Sequence, residues 1–425
     1  MFSRSSLRPA LPRLAAAVSA LLALSGCAAG AGGTSGAPTS PVSAASSREP
    51  QSLTRPTVAT DPETAREPRS AAPSGTAVQA APAAPEASAA SAAADPRAAA
   101  VTSATVYGFS DPNLVNESAS VQMRQLQQMK AFGVTSIRLD AGWAWVQPNG
   151  PGTYDWSALD QVISSIAKVG FSVDLIIDQC PSWAGVASAQ GSVWAQPASA
   201  ATFAKYAAAV AARYGHQGVK YFEIWNEPNI IYFWAPKPDP GAYSEDLKAA
   251  YSAIKEVDPA AFVLSGGLSP AVNTSTSFDP RTFLKDMYAD GDQRSFDGLG
   301  DHPYSYPILP DNEESWSGWS QMSQTNPSLR SIMAENGDTS KKIWITEYGA
   351  PTTGSSSVGA NGQTTELLQA IALARKSSWL GSLYIYTWAD LASEPEVDNG
   401  FGMLTDNSVH KPAYAVVSAA MRSAQ

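Results

Sequence analysis

The sequence predicts a (β/α)8 TIM barrel of the α/β class, preceded by a disordered linker, and three observations point there. From residue 101 onward, eight short β-rich apolar runs alternate with segments of helical period. Of 12 Phe, 12 Trp and 15 Tyr in 425 residues, only Phe2 lies in the first 100, so the apolar surface needed for a core is confined to the rest. No Gly-rich phosphate fingerprint follows the first run, which leads into Ser110-Asp111-Pro112-Asn113, so a dinucleotide fold finds no support.

The leader comes first. Arg4, Arg8 and Arg13 form a basic start, and Leu14 to Leu24 is an apolar run too short to span a bilayer. Residues 1–27 therefore read as an export signal. Residues 28–100 are rich in Ala, Pro and Ser with no repeating period, the composition of a disordered tether. Residues 101–425 form the barrel domain. The first 100 residues hold 8 Arg and 6 acids, leaving 20 basic and 32 acidic residues, a net −12, for the remainder. Such an acidic chain is a poor nucleic-acid binder, and two Cys are too few for a disulfide framework. Cys180, the one thiol of the barrel domain, ends an apolar strand with no His near it in sequence and reads as a small buried residue.

The eight strands are expected at Thr105–Phe109, Val134–Leu139, Phe171–Asp178, Lys220–Trp225, Phe262–Gly266, Phe296–Gly300, Lys342–Thr346 and Ser382–Trp388. Several are almost continuously apolar, as strands covered on both faces are. Leu159, Val162, Ile163 and Ile166 repeat at helix spacing between the second and third, with Ser157 and Asp160 as a capping box and Gly170 as the stop. Tyr243, Leu247, Ala250 and Ile254 do the same between the fourth and fifth, ahead of Pro259. Residues 199–214 and 363–376 are good helix formers. The stretch 303–341 is a long connection with short helical pieces at 316–322 and 328–336.

Function in such barrels sits where strands end. The fourth ends Phe222-Glu223-Ile224-Trp225-Asn226-Glu227-Pro228 and the seventh Ile343-Trp344-Ile345-Thr346-Glu347-Tyr348-Gly349. Two carboxyl groups facing one cleft are the minimum machinery for cleaving a glycosidic bond, one holding a proton and the other ionised. Asp178 and Asp301 are rival acids at strand ends without the aromatic frame. Glu223 shares the parity of Glu227 but lies deeper and reads as structural. Arg138 on the second strand is placed either at the nucleophile or in an ion pair with Glu223. His302 is either a site residue or a satisfied buried imidazole. Trp143, Trp183 and Trp234 follow strand ends and are expected to wall sugar subsites, since an indole offers a flat apolar face to the C–H face of a sugar. His216, His302 and His410 are the only histidines, and no HExxH or Cys pair accompanies them, so neither metal nor cofactor is expected.

Trp225-Asn226-Glu227-Pro228 together with Thr346-Glu347-Tyr348-Gly349 resembles clan A of the retaining glycoside hydrolases. The detail is most similar to families 5 and 39, the latter including bacterial exopolysaccharide hydrolases and β-xylosidases, over most of residues 104–420. The resemblance implies Glu227 as acid/base, Glu347 as nucleophile and Asn226 as the residue that binds the sugar 2-hydroxyl. It also implies Arg138 holding the nucleophile, Tyr304 of His302-Pro303-Tyr304 touching it, and Trp388 as the aromatic floor beneath the cleaved sugar. Leu24-Ser25-Gly26-Cys27 resembles the lipobox of bacterial lipoproteins, which implies lipidation of Cys27 and an exported, membrane-attached protein at the outer face of the cell membrane or cell surface. The expectation is a monomeric glycosidase without cofactor that degrades a β-linked extracellular glycan. A transglycosylase on the same site and a non-catalytic glycan-binding lipoprotein are the alternatives.

Overall fold

The computed structural model describes residues 105–391 and 400–424. The export signal, Cys27 and the tether of residues 28–100 lie outside the described residues.

Eight parallel strands run β1 (Val106–Ser110), β2 (Ser136–Gly142), β3 (Ser172–Asp178), β4 (Val219–Asn226), β5 (Phe262–Gly267), β6 (Leu299–Asp301), β7 (Ile343–Tyr348) and β8 (Leu380–Tyr386). A helix follows each: α1 (Ala119–Phe132), α2 (Ser157–Val169), α3 (Ala200–Tyr214), α4 (Pro240–Val257), α5 (Pro280–Ala289), α6 (Leu329–Glu335), α7 (Gly359–Lys376) and α8 (Ala413–Ala424). The ladder order is β5-β4-β3-β2-β1-β8-β7-β6. Parallel bridges Leu264–Gly298 and Leu268–Asp301 then join β5 to β6 and close the barrel. Every residue of β5, β7 and β8 is buried, as strands between a packed interior and a helical coat must be.

Two apolar layers result. One lies between strands and helices, where Leu159, Val162, Ile163 and Ile166 of α2 and Tyr243, Leu247, Ala250 and Ile254 of α4 are buried at the predicted spacing. The other fills the barrel floor with Tyr221, Phe262, Leu264 and Trp344. A Cβ on Gly381 would lie 2.4 Å from the Trp344 indole, so a glycine there makes room for the largest side chain of the floor.

Three local expectations are corrected. The start of α2 is held by Asp155, whose carboxylate accepts from the Ser157 amide (3.0 Å) and hydroxyl (2.6 Å). Asp160 is drawn instead to Arg213 (2.8 and 2.6 Å) and Tyr214 (2.8 Å), a stronger offer than a helix amide. Strand β6 is only three residues long, because Asp297 turns to accept from the Val263 amide (2.8 Å) and pair with Lys255. Strand β8 stops at Tyr386: the Thr387 hydroxyl donates to Ser110 O (2.8 Å), and the chain around Trp388 pairs with Met403 and Leu404. Gly170 does end α2, with φ of 85°. In the long connection, Ser320–Gln324 form one π-helical turn, and Ser328 with Ser331 caps α6.

Candidate active site

Consecutive residues of a strand point to opposite faces, yet Asn226 and Glu227 serve one network. The backbone explains this. Trp225 (φ 71°) and Glu227 (φ 44°) are both left-handed, a conformation that costs a non-glycine residue about 1–3 kcal/mol. The turn they make brings both polar side chains to the same end of the barrel. Packing holds it in place: Trp225 is fully buried against Phe203 and Trp234, its indole donates to Phe233 O (2.5 Å), and the Glu227 amide donates to Gly267 O (3.0 Å).

Arg138 is the hub. It is buried, and each of its five N–H donors has an acceptor. Nη1 reaches Glu347 Oε1 (2.6 Å) and Ser110 Oγ (3.0 Å), Nε reaches Glu223 Oε2 (2.7 Å), and Nη2 reaches Glu223 Oε1 (3.0 Å) and Asn226 Oδ1 (2.8 Å). Burial works against its charge, but Glu223 and Glu347 outweigh that and keep it protonated. The two roles weighed for Arg138 are thus both filled by one fork. Removing it would leave two buried carboxylates unpaired, a cost of about 3–5 kcal/mol.

Glu347 receives a second donor, the Tyr304 hydroxyl at 2.9 Å. Burial raises the Glu347 carboxyl above its usual range, while Arg138 and Tyr304 oppose that. Glu227 is fully buried and has His302 Nδ1 at 2.9 Å from its Oε1. Burial pushes the imidazole far below its usual range, and the nearby Arg138 adds to that, so His302 is neutral. Glu227 Oε1 lies 2.9 Å and Glu347 Oε2 3.7 Å from that same Nδ1, so the two oxygens are no more than about 6.6 Å apart. The structure therefore brings Glu227, Glu347, Arg138, Asn226, His302 and Tyr304 into one hydrogen-bonded cluster. Such a cluster can hold a proton on one carboxyl and a charge on the other.

Asp301 is buried beside it with its carboxyl held well up by burial. Asp178 is held up in the same way. Cys180 is free and fully buried, and burial pushes its thiol up and away from nucleophile behaviour.

The tryptophans divide differently from expectation. Trp143 is fully buried, stacked on Tyr206 (5.5 Å) and edge-on to Trp183 (5.4 Å). Trp234 is fully buried between Trp225 and Tyr243, with its indole donating to Gln196 Oε1 (2.9 Å). Neither has a face to offer a sugar, so both are corrected to core residues. Trp183 is half-buried and donates to Gln147 O (2.8 Å). Trp388 is 1% exposed, packed against Phe109, Phe132 and Tyr414, and touches a cavity of about 320 Å³ shared with Asp111 and Asp390.

A larger cavity of about 850 Å³ opens at the ends of β2 and β3. Trp145, Trp194, Gln179, Asn113 and Asp140 line it, and burial pushes the Asp140 carboxyl up to about 6. Trp145 and Trp194 are the aromatic residues of this cavity, whose lining residues do not include Glu227 or Glu347. Trp145 stands two residues after Trp143 on the short helical turn Trp143–Val146, and the two side chains leave that turn in different directions.

Several solved structures share this fold. A family 39 glycoside hydrolase from the gut symbiont Bacteroides cellulosilyticus WH2 superposes with a TM-score of 0.61 at 21% identity, covering 76% of this chain and 64% of that one. A monomeric beta-xylosidase from Caulobacter crescentus CB15 gives 0.51 at 19% identity over 75% and 67%. GH5_18 from Streptomyces cattleya in complex with GlcNAc gives 0.55 at 16% identity over 76% and 81%. Among curated sequences, a beta-amylase of Medicago sativa is 32% identical over 74 residues, 17% of this chain and 14% of that protein. The chain therefore aligns with about a seventh of that relative's length. The family of broadest reach over the sequence is the cellulases, glycosyl hydrolase family 5, whose model matches residues 99–382. With two thirds of its length matched, the chain belongs to glycosyl hydrolase family 5.

Proposed function

We propose that this chain is a glycosidase that cleaves β-glycosidic bonds of an extracellular polysaccharide or oligosaccharide with retention of configuration. The observation that carries the reading is the shared approach of Glu227 and Glu347 to His302 Nδ1. Retaining enzymes hold their carboxyl groups about 5–5.5 Å apart and inverting enzymes about 6.5–9.5 Å. Those two contacts place one oxygen of each carboxyl group within about 6.6 Å of the other, which accommodates the first range.

Glu347 is ionised by Arg138 and Tyr304 and attacks the anomeric carbon. Glu227 gives its proton to the leaving oxygen, and a glycosyl ester forms on Glu347. Glu227, now a carboxylate, takes a proton from water as that water attacks the same carbon and releases Glu347. Asn226, fixed by Arg138, faces the sugar 2-hydroxyl. Trp145 and Trp194 supply apolar faces for neighbouring sugars. The larger cavity is lined by Glu117, Asp140 and Asp155 and, among the described residues, by no Lys, Arg or His. That favours a neutral or basic glycan over a polyanionic one.

Glu347→Gly should abolish turnover, and azide should restore it in part with an α-glycosyl azide as product. A β-glycosyl azide, or wild-type activity without azide, would move the nucleophile elsewhere. The lipobox tetrad supports an enzyme tethered at the outer face of the cell membrane through Cys27. A Cys27→Ser chain should leave the membrane fraction, and retention there would contradict the tether.

A further inference from the structure

Nδ1 of the His302 imidazole lies at the junction of the two carboxyl groups, and Nε2 faces the Thr346 hydroxyl. We propose that Thr346 is a positioning residue whose hydroxyl donates to Nε2 of His302, with the imidazole proton on Nδ1, between Glu227 and Glu347. The part of this that concerns catalysis rests on Glu227 being the acid/base.

The geometry leaves two arrangements. Thr346 Oγ1 is 3.0 Å from His302 Nε2 and 3.2 Å from Glu223 Oε1, and it has one proton to give. If that proton went to Glu223, Nε2 would have to carry hydrogen to bond the hydroxyl. The lone pair of Nδ1 would then face Glu227 Oε1 at 2.9 Å and Glu347 Oε2 at 3.7 Å. That arrangement is satisfied only if Glu227 turns its acidic proton onto Nδ1, away from any leaving group. Glu223 has no need of the Thr346 proton. Its Oε1 already accepts from Arg138 Nη2 (3.0 Å) and the Gly267 amide (2.8 Å), and its Oε2 accepts from Arg138 Nε (2.7 Å). With the proton given to Nε2 instead, Nδ1–H points at oxygens on both carboxyl groups, which is where a positive hydrogen is wanted.

A Cβ built on Gly267 would fall 2.2 Å from His302 Nε2 and 2.6 Å from Thr346 Oγ1, so the β5 backbone presses on this pair. His302 and Thr346 are both fully buried.

The proton balance is simple. Nδ1–H occupies Glu227 Oε1 throughout, so the catalytic proton is carried on Oε2. It leaves with the departing oxygen in the first half-reaction and returns from water in the second. His302 and Thr346 neither gain nor lose a proton. In each half, Nδ1–H bonds whichever form of Glu227 is present, the acid or the carboxylate.

The test uses the full chain labelled with ¹⁵N. It has three histidines, so His216→Gln and His410→Gln assign the ring of His302 by elimination. Long-range ¹H–¹⁵N correlation then reads which nitrogen is protonated, without turnover. The wild type and Thr346→Ser should show Nδ1–H with a hydrogen-bonded Nε2, and in the near-isosteric Thr346→Val, where the carboxyl oxygens still hold the proton on Nδ1, the ¹⁵N signal of Nε2 should move downfield as it loses its donor. In parallel, kcat on an alkyl β-glycoside should fall about tenfold or more in Thr346→Val at unchanged KM, and recover in Thr346→Ser. Nε2–H in the wild type, or an Nε2 signal that does not move in Thr346→Val, overturns the proposal. An unchanged kcat in Thr346→Val beside the expected Nε2 signal change would leave the hydrogen-bond assignment standing and count against Glu227 as the acid/base.

Discussion

Tyr304 and Arg138 act on Glu347 in the same direction, and the consequence is a pH dependence with a definite sign. Burial raises the Glu347 carboxyl, and both donors favour its charged form. The proposed nucleophile must be ionised, so activity should be present above that raised value and be lost as pH falls through it. Tyr304→Phe removes the 2.9 Å donor. The acid limb of kcat/KM should therefore move to higher pH, and activity at neutral pH should fall about ten- to a hundredfold. An acid limb that stays put or moves down would show that the hydroxyl does not bond the ionised form. At this scale the sequence was informative about identity and silent about counting. That Glu227, Glu347, Asn226, His302 and Tyr304 gather at one end of the barrel is legible from the strand-end motifs, because each motif stands at the end of a strand. That Arg138 serves Glu223 and Glu347 together is not legible, because it depends on five donors finding five acceptors in three dimensions.

Strands and helices were legible where one pattern dominated. The periodic helices α2 and α4 bury the expected residues, and β3 and β5 fall within a residue of expectation at each end. Boundaries shifted where side chains compete for backbone groups, as Asp297 does before β6 and Thr387 after β8. The left-handed residues at the end of β4 carry no sequence signal, since Trp225 and Glu227 are not residue types that favour positive φ. The turn at Trp143–Val146 shows what such local geometry decides. Trp143→Ala should cost about 3–5 kcal/mol of stability, because its cavity lies among Tyr206, Trp183 and Phe203. Trp145 is 39% exposed at the cavity edge. Trp145→Ala should change stability by less than about 1 kcal/mol and raise KM for an oligosaccharide several-fold with kcat kept. Thermal melts and steady-state kinetics check both, and equal stability losses would contradict the division between wall and core.

At the scale of the molecule, a closed parallel barrel gathers side chains from β1, β2, β4, β6 and β7 at one end, which no stretch of contiguous sequence could do. Six side chains that span residues 138 to 347 meet there through hydrogen bonds of 2.6–2.9 Å and a 3.7 Å approach of His302 Nδ1 to Glu347 Oε2. The aromatic excess of residues 101–425 serves mainly this architecture: Trp143, Trp225, Trp234 and Trp344 are all fully buried. Composition showed where the domain lies and could not show which aromatics face a ligand. The central claim is double displacement by Glu347 and Glu227. It is tested most directly by following hydrolysis of an aryl β-glycoside by ¹H NMR from the first turnovers. The account predicts that the β-anomer of the free sugar appears first and then mutarotates, and first appearance of the α-anomer would contradict it.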